Sequence, residues 1–127
     1  MTIKSPQTLV AEALNEVKTI TPEEALKLNN ENKCNLIDIR DEVELQKLGR
    51  IENSIHLPRG LLEFSIHPES AFVQNNQIDL SKETVLFCAA GGRSALAANT
   101  LKEMGFEKVS HIEGGFGAMK NSGFKTS

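Results

Sequence analysis

Apolar positions along the chain follow two alternating rhythms. Short, nearly continuous apolar runs at Cys34-Asn-Leu-Ile-Asp-Ile39, Ser54-Ile-His-Leu57, Thr84-Val-Leu-Phe87 and Lys108-Val-Ser-His-Ile112 have the length and β-branched content of buried strands. Lys18-Thr-Ile20 adds a short edge strand. Between them the apolar spacing becomes helical. Leu96, Ala97, Thr100, Leu101 and Met104 share one face, Gly105 stands where a left-handed cap belongs, and Phe106 can fold back on the last turn. Leu9, Val10, Ala13, Leu14 and Val17 define an earlier helical face, with Pro6 suited to its first turn. Thr21-Pro-Glu-Glu24 reads as a capped helix start, running to about Asn30. Asp41 caps a short helix through about Lys47, Arg59-Gly60 begin another helical turn, and Gly114-Gly115 lead into a last helix ending near Ser122. Strands and helices alternating at these intervals predict an α/β domain with a mainly parallel sheet.

One junction in this pattern is chemically loaded. The strand at 84–87 ends at Cys88, followed by Ala89, Ala90, Gly91 and Gly92, and then Arg93 and Ser94 open the helix. A thiol therefore stands at the carboxyl end of a strand, in a bare loop, at a helix start. Backbone N–H groups converging there, backed by the helix N-terminus, stabilise a thiolate and hold an anionic substrate against it. Glycine permits the positive φ that such a loop requires, and Arg93 supplies a permanent charge and planar donors for an oxyanion. A cysteine of the inert core is the plainer alternative, but it needs neither a glycine pair nor an arginine after it.

The loop Cys88-Ala-Ala-Gly-Gly-Arg93-Ser94 resembles the C-x-x-G-x-R-S active-site loop of the rhodanese (thiosulfate sulfurtransferase) family. Leu36-Ile-Asp-Ile-Arg-Asp-Glu-Val-Glu44 resembles that family's D-x-R-x-x-x-E motif, and residues 49–58 its G-x-I-x-x-[AS]-x-x-x-P motif. Residues 113–119 resemble the closing G-G-x-x-A-W, with Met119 where the family usually has tryptophan, a change that bears on packing. The resemblance implies a three-layer α/β/α fold with a five-stranded, mainly parallel sheet. The expected organisation is one domain over 1–127, with residues 1–20 as a helical extension packed on the core. It also implies a catalytic Cys88 and a substrate cradle of Ala89, Ala90, Gly91, Gly92, Arg93 and Ser94. The same resemblance implies that Asp38, Arg40 and Glu44 support the site by tying the strand end to neighbouring loops. Pro58-Arg-Gly-Leu-Leu-Glu-Phe64 resembles a bacterial-type subgroup, which leaves two placements open for Arg59, facing the loop as a substrate-binding residue or lying on the surface. Residues 65–80 form an unusually long connection and a candidate wall over the site.

Composition narrows the chemistry. The chain of 127 residues carries a formal charge of −3, which speaks against a nucleic-acid partner and leaves anion capture to local groups. Its two cysteines have no metal-type or disulfide spacing, and Cys34, at the far end of its strand, is too distant to resolve Cys88. His56, His67 and His111 are scattered, so no metal is expected, and His111 reads as a core or edge residue. No secretory segment or long apolar span occurs, so a cytoplasmic protein without a membrane partner is expected. By resemblance the reaction moves sulfane sulfur from thiosulfate, or another small anionic donor, through a Cys88 persulfide to a thiol or cyanide, with no cofactor. Two alternatives stand beside it: a sulfur carrier working within a protein relay, and a phosphatase or arsenate reductase. The last is disfavoured because phosphatase loops read C-x-x-x-x-x-R, one residue longer than this one.

Overall fold

The structure, a computed structural model, describes residues 2–127. Local signals set most element starts. Ser5 Oγ accepts the Thr8 N–H and Pro6 takes the first position of α1 (Pro6–Leu14), which leads to β1 (Lys18–Ile20). At α2 (Pro22–Asn30) Thr21 Oγ1 accepts the Glu24 N–H at 3.1 Å while Glu24 Oε1 accepts the Thr21 N–H at 3.2 Å. These reciprocal bonds satisfy donors that the first turn leaves without partners. Then follow β2 (Cys34–Asp38), α3 (Glu42–Leu48), the two-residue β3 (Ile55–His56), a 3₁₀ turn at Arg59–Leu61, α4 (Leu62–Ile66) and α5 (Ala71–Gln74). The chain closes with β4 (Glu83–Phe87), α6 (Gly92–Met104), β5 (Val109–Ile112) and α7 (Gly115–Lys120).

The strands form one five-stranded sheet in the order β1-β5-β4-β2-β3, with every neighbouring pair parallel. Because strand side chains alternate in direction, the sheet feeds two cores. Ile37, Ile39 and Leu86 pack with Leu62, Ile66, Ala97 and Leu101 on one face; Leu36, Val85, Phe87 and Ile112 pack with Ala25, Phe116, Met119 and Phe124 on the other. Met119 is fully buried and shares its core with Phe87, Phe116 and Phe124. The three-layer α/β/α arrangement expected from the resemblance is the one the chain adopts. Asp38 and Phe87 are register partners, so the carboxyl ends of β2 and β4 lie side by side, where open α/β sheets place ligand groups.

Two expectations need correction. The helical face proposed for the first helix is only partly used: Ala13 is buried, whereas Leu9 and Leu14 are each 44% exposed. The helix is short and packs on α6 through its small residues, with Val10 Cγ2 about a contact distance, 3.7 Å, from where a Gly92 Cβ would lie. The connection at 65–80 does not wall the active-site end. Phe72, Val73, Ile78 and Leu80 pack onto the α6-side core, and the Asn35 side chain clamps the Asp79 backbone from both sides, at 2.8 and 3.0 Å. Asn35 belongs to the amino-terminal end of β2, and His67 lines a groove with Thr84 and Met104, at the far end of α6. These anchors hold the connection, at His67 and Asp79, beside the amino-terminal end of the sheet, whereas Cys88 follows the carboxyl end of β4.

Candidate active site

Cys88 follows the last residue of β4, and its side chain is 1% exposed. Gly91 adopts φ +114°, a left-handed conformation that favours glycine, and this turns its N–H inward. The Gly91 N–H donates to Cys88 Sγ at 3.1 Å and the Ser94 N–H donates at 3.3 Å. Two N–H donors thus face the sulfur, placed where negative charge develops when a thiol reacts. Gly92 and Arg93 form the first turn of α6, whose N–H groups have no intrahelical acceptor. Ala90 is exposed at the loop tip.

The arginine and the carboxylate of the two motifs meet. Arg93 Nη1 and Nη2 donate to Glu44 Oε1 and Oε2 at 2.7 and 2.9 Å. Glu44 also accepts the Asp41 N–H at 3.0 Å, so one carboxylate ties the start of α3 to the start of α6. The Arg93 hydrogen bonds hold the Glu44 carboxyl down at about 2, and Glu44 in turn raises Arg93. The expected oxyanion donor is thus committed to Glu44 through both terminal nitrogens.

Asp38 and Arg40 lie beneath, both wholly buried. Arg40 Nη2 donates to Asp38 Oδ2 at 2.7 Å and to the Gly49 carbonyl at 2.9 Å, and Cζ stands 3.9 Å from the centre of the Phe116 ring. Among the described residues, Arg40 Nη1 is buried without an acceptor. Removing one partner of such a pair costs about 3–5 kcal/mol, because the other charge is left stranded. Arg59 is placed elsewhere: it bonds Glu63 at 2.7 Å and Thr100 Oγ1 at 3.3 Å. Thr100 is eight residues beyond Gly92 in α6, about 12 Å along the axis, so the structure does not bring Arg59 to the loop.

Two participants escaped the sequence reading. Gly115, at φ +56°, sits so close that a Cβ would lie 2.4 Å from the Cys88 carbonyl oxygen. The Phe116 N–H donates to that oxygen at 2.8 Å, so the β5–α7 corner braces the loop from behind. A glycine pair, Gly114-Gly115, one residue past the last strand was the visible signal. His111 is the other. It is 2% exposed, its Nδ1 lies 2.9 Å from Ser94 Oγ, and its Nε2 lies 2.9 Å from Thr19 Oγ1. Its position within an apolar strand concealed it, since only the tertiary fold aligns β1, β5 and α6.

The fold thus sets a buried thiol, faced by backbone amides, at the carboxyl end of a parallel strand and beside the start of a helix. The sequence profile of the rhodanese-like domain matches residues 21–122, and the chain belongs to that family. It is 35% identical over 103 residues to the thiosulfate sulfurtransferase GlpE of Pseudomonas entomophila, covering 81% of this chain and 84% of that one. It is 29% identical over 86 residues to the putative sulfur carrier protein YrkF of Bacillus subtilis. That match takes in 68% of this chain but only 41% of YrkF, so the chain spans about two fifths of that relative. Its structure superposes with a TM-score of 0.85 on a Rhodopseudomonas palustris protein, RPA3614, of unknown function and described as a possible tyrosine phosphatase. That pair is 38% identical, with 100% and 98% of the two chains covered.

Proposed function

We propose that the chain, acting as one domain over 1–127, is a sulfurtransferase that moves sulfane sulfur from thiosulfate or a similar donor to a thiophilic acceptor through a Cys88 persulfide. The observation that carries the reading is the convergence of the Gly91 and Ser94 N–H groups on Cys88 Sγ. The Cys88 thiolate attacks the outer sulfur of thiosulfate; the S–S bond breaks and sulfite leaves with its electron pair. Cyanide or a thiolate then attacks the terminal sulfur of the persulfide, and the Cys88 thiolate is regenerated. The amide cradle offsets negative charge on sulfur at both stages. The similarity to GlpE supports the thiosulfate assignment, and a reducing cytoplasm is where such a thiol stays available.

The similarity to YrkF favours a second reading, a carrier loaded and unloaded by partner proteins through the same cysteine. The phosphatase reading suits the site less well. A phosphoryl group is best gripped by a free bidentate arginine, and Arg93 is held by Glu44. Intact-mass measurement tests all three. Thiosulfate should add one sulfur atom to the wild type and none to Cys88→Ser, and cyanide should remove it. Sulfur uptake only from a cysteine desulfurase would point to the carrier, and aryl-phosphate hydrolysis without persulfide would overturn the proposal.

A further inference from the structure

The back of the catalytic sulfur is not packed against carbon alone. Cys88 Sγ lies 3.5 Å from Ser94 Oγ, Ser94 Oγ lies 2.9 Å from His111 Nδ1, and His111 Nε2 lies 2.9 Å from Thr19 Oγ1. The first three groups are buried, whereas Thr19 is exposed on the edge strand β1. Register enforces the line: Thr19 and His111 are direct partners in the β1–β5 pair, and Leu86, two residues before Cys88, is the partner of His111 on the other side. We propose that Ser94, His111 and Thr19 form a proton path from the Cys88 thiol to solvent, with His111 a positioning residue that sets the direction of the Ser94 hydroxyl.

Counting hydrogens leads to this assignment. Ser94 has one hydroxyl hydrogen and three neighbouring acceptors: His111 Nδ1, the sulfur when ionised, and the Gly91 carbonyl at 3.2 Å. With the thiol protonated, S–H donates to Oγ, O–H donates to Nδ1, and Nε2–H donates to Thr19. With the thiolate, the Ser94 O–H donates to sulfur, Nδ1–H donates to Oγ, and the Thr19 O–H donates to Nε2. Between the two arrangements one S–H bond breaks, each interior group passes on one proton, and Thr19 releases one to water or buffer base. No electron changes hands and the ring is neutral at both ends. Among the described residues no charged side chain hydrogen-bonds the ring: α6 presents Ser94, β1 presents Thr19 and β4 presents Leu86. Burial lowers the His111 pKa, so switching tautomer costs less than forming an imidazolium. A substrate seated over the loop closes the front of the site, and this path then connects the sulfur to water from behind.

The inference concerns ionisation of Cys88 and needs the proposed sulfur transfer only for its use, so the test omits sulfur donors. In Cys34→Ser protein labelled with ¹⁵N-histidine, His111 Nδ1 should pass from unprotonated to protonated, and Nε2 the reverse. Both changes should share the midpoint of the thiolate ultraviolet absorbance. In Cys88→Ala over the same range neither should change. A ring that keeps one tautomer while the thiol ionises, or that switches equally in Cys88→Ala, would overturn the proposal. Kinetics give a second arm. Ser94→Ala should slow iodoacetamide alkylation of Cys88 by about tenfold, the worth of one charge-assisted hydrogen bond. Thr19→Val, a shape-preserving change on an exposed edge strand, should slow it less. His111→Asn should slow it in the parent and have no further effect beside Ser94→Ala, because its action passes through that hydroxyl. Independent, multiplying effects of His111→Asn and Ser94→Ala would mean the histidine only packs. Should His111→Asn fail to fold, the tautomer measurement and the Thr19→Val variant decide.

Discussion

Cys34 and Cys88 are both free, both buried and carried by neighbouring parallel strands, yet they occupy opposite chemical worlds. Cys34 pairs in register with Glu83 at the amino-terminal end of the sheet; Cys88 lies five residues further along, roughly 17 Å away. Burial, opposed by Lys82 and aided by the Glu83 carboxylate, pushes the Cys34 thiol up to about 11, as desolvation disfavours a thiolate. Cys88 is buried more deeply, but two amides and a hydroxyl face its sulfur. The donors that face each sulfur therefore follow the direction of the strands. A carboxyl end opens into a loop and a helix start, whose N–H groups are free to turn inward, and an amino end offers no such donors.

The broadest test of that contrast exchanges each thiol for a hydroxyl. Cys88→Ser should abolish thiosulfate:cyanide turnover with the circular dichroism spectrum unchanged, whereas Cys34→Ser should keep most of the activity. Loss of activity in the second variant alone would reverse the assignment. Reactivity towards iodoacetamide should separate the two thiols next. At pH 8 only about one Cys34 in a thousand is ionised if its pKa is near 11. Peptide mapping should then find label on Cys88, with Cys34 labelled only as the pH approaches 11 or the chain unfolds. Comparable labelling of both in native protein at pH 8 would remove the contrast.

Enlarging the cradle should have the next largest effect. One glycine inserted between Gly91 and Gly92 moves the amides off the sulfur, and misplacement by ~1 Å costs on the order of a hundredfold in rate. Thiosulfate turnover unaffected by the insertion would show that amide placement is not what sets Cys88 apart. The smallest effect is expected from Glu44→Gln, which frees Arg93. Turnover should fall by about tenfold, and stability by about 1 kcal/mol after solvent screening of the half-exposed pair. Because the folded Glu44 value, about 2, lies below its ordinary 4.5, the stabilisation is complete above that ordinary value. It is lost as the pH falls through the folded value. The difference in urea midpoint between wild type and Glu44→Gln should accordingly hold near pH 7 and shrink below pH 4.5. A pH-independent difference would assign the pair no electrostatic role.

Local chemistry made much of this legible beforehand. The Thr21–Glu24 box, Pro6 and Gly105 marked helix ends because each satisfies or terminates a helix by itself. Cys88, Gly91 and Ser94 were legible because they lie within one loop. Arg59, the connection at 65–80 and His111 were not, since their places depend on partners far along the chain: Thr100 for Arg59, Asn35 for Asp79, and Ser94 and Thr19 for His111. Arg93 shows an intermediate case. Its presence in the loop was plain, but its engagement by Glu44 required two motifs to meet in space.

Within the sheet, β1 has one neighbour, and that neighbour is the last strand to be made. On a ribosome the segment at 18–20 emerges early and has no strand to join until residues 109–112 follow. Non-local pairing of this kind adds slowly. The order of synthesis thus differs from the order of assembly: Cys88 and its loop can gather on β4 and β2 while Thr19 is still unpaired. A nascent chain would therefore carry Cys88 on its strand before β5 brings in His111 and gives β1 a neighbour to dock on.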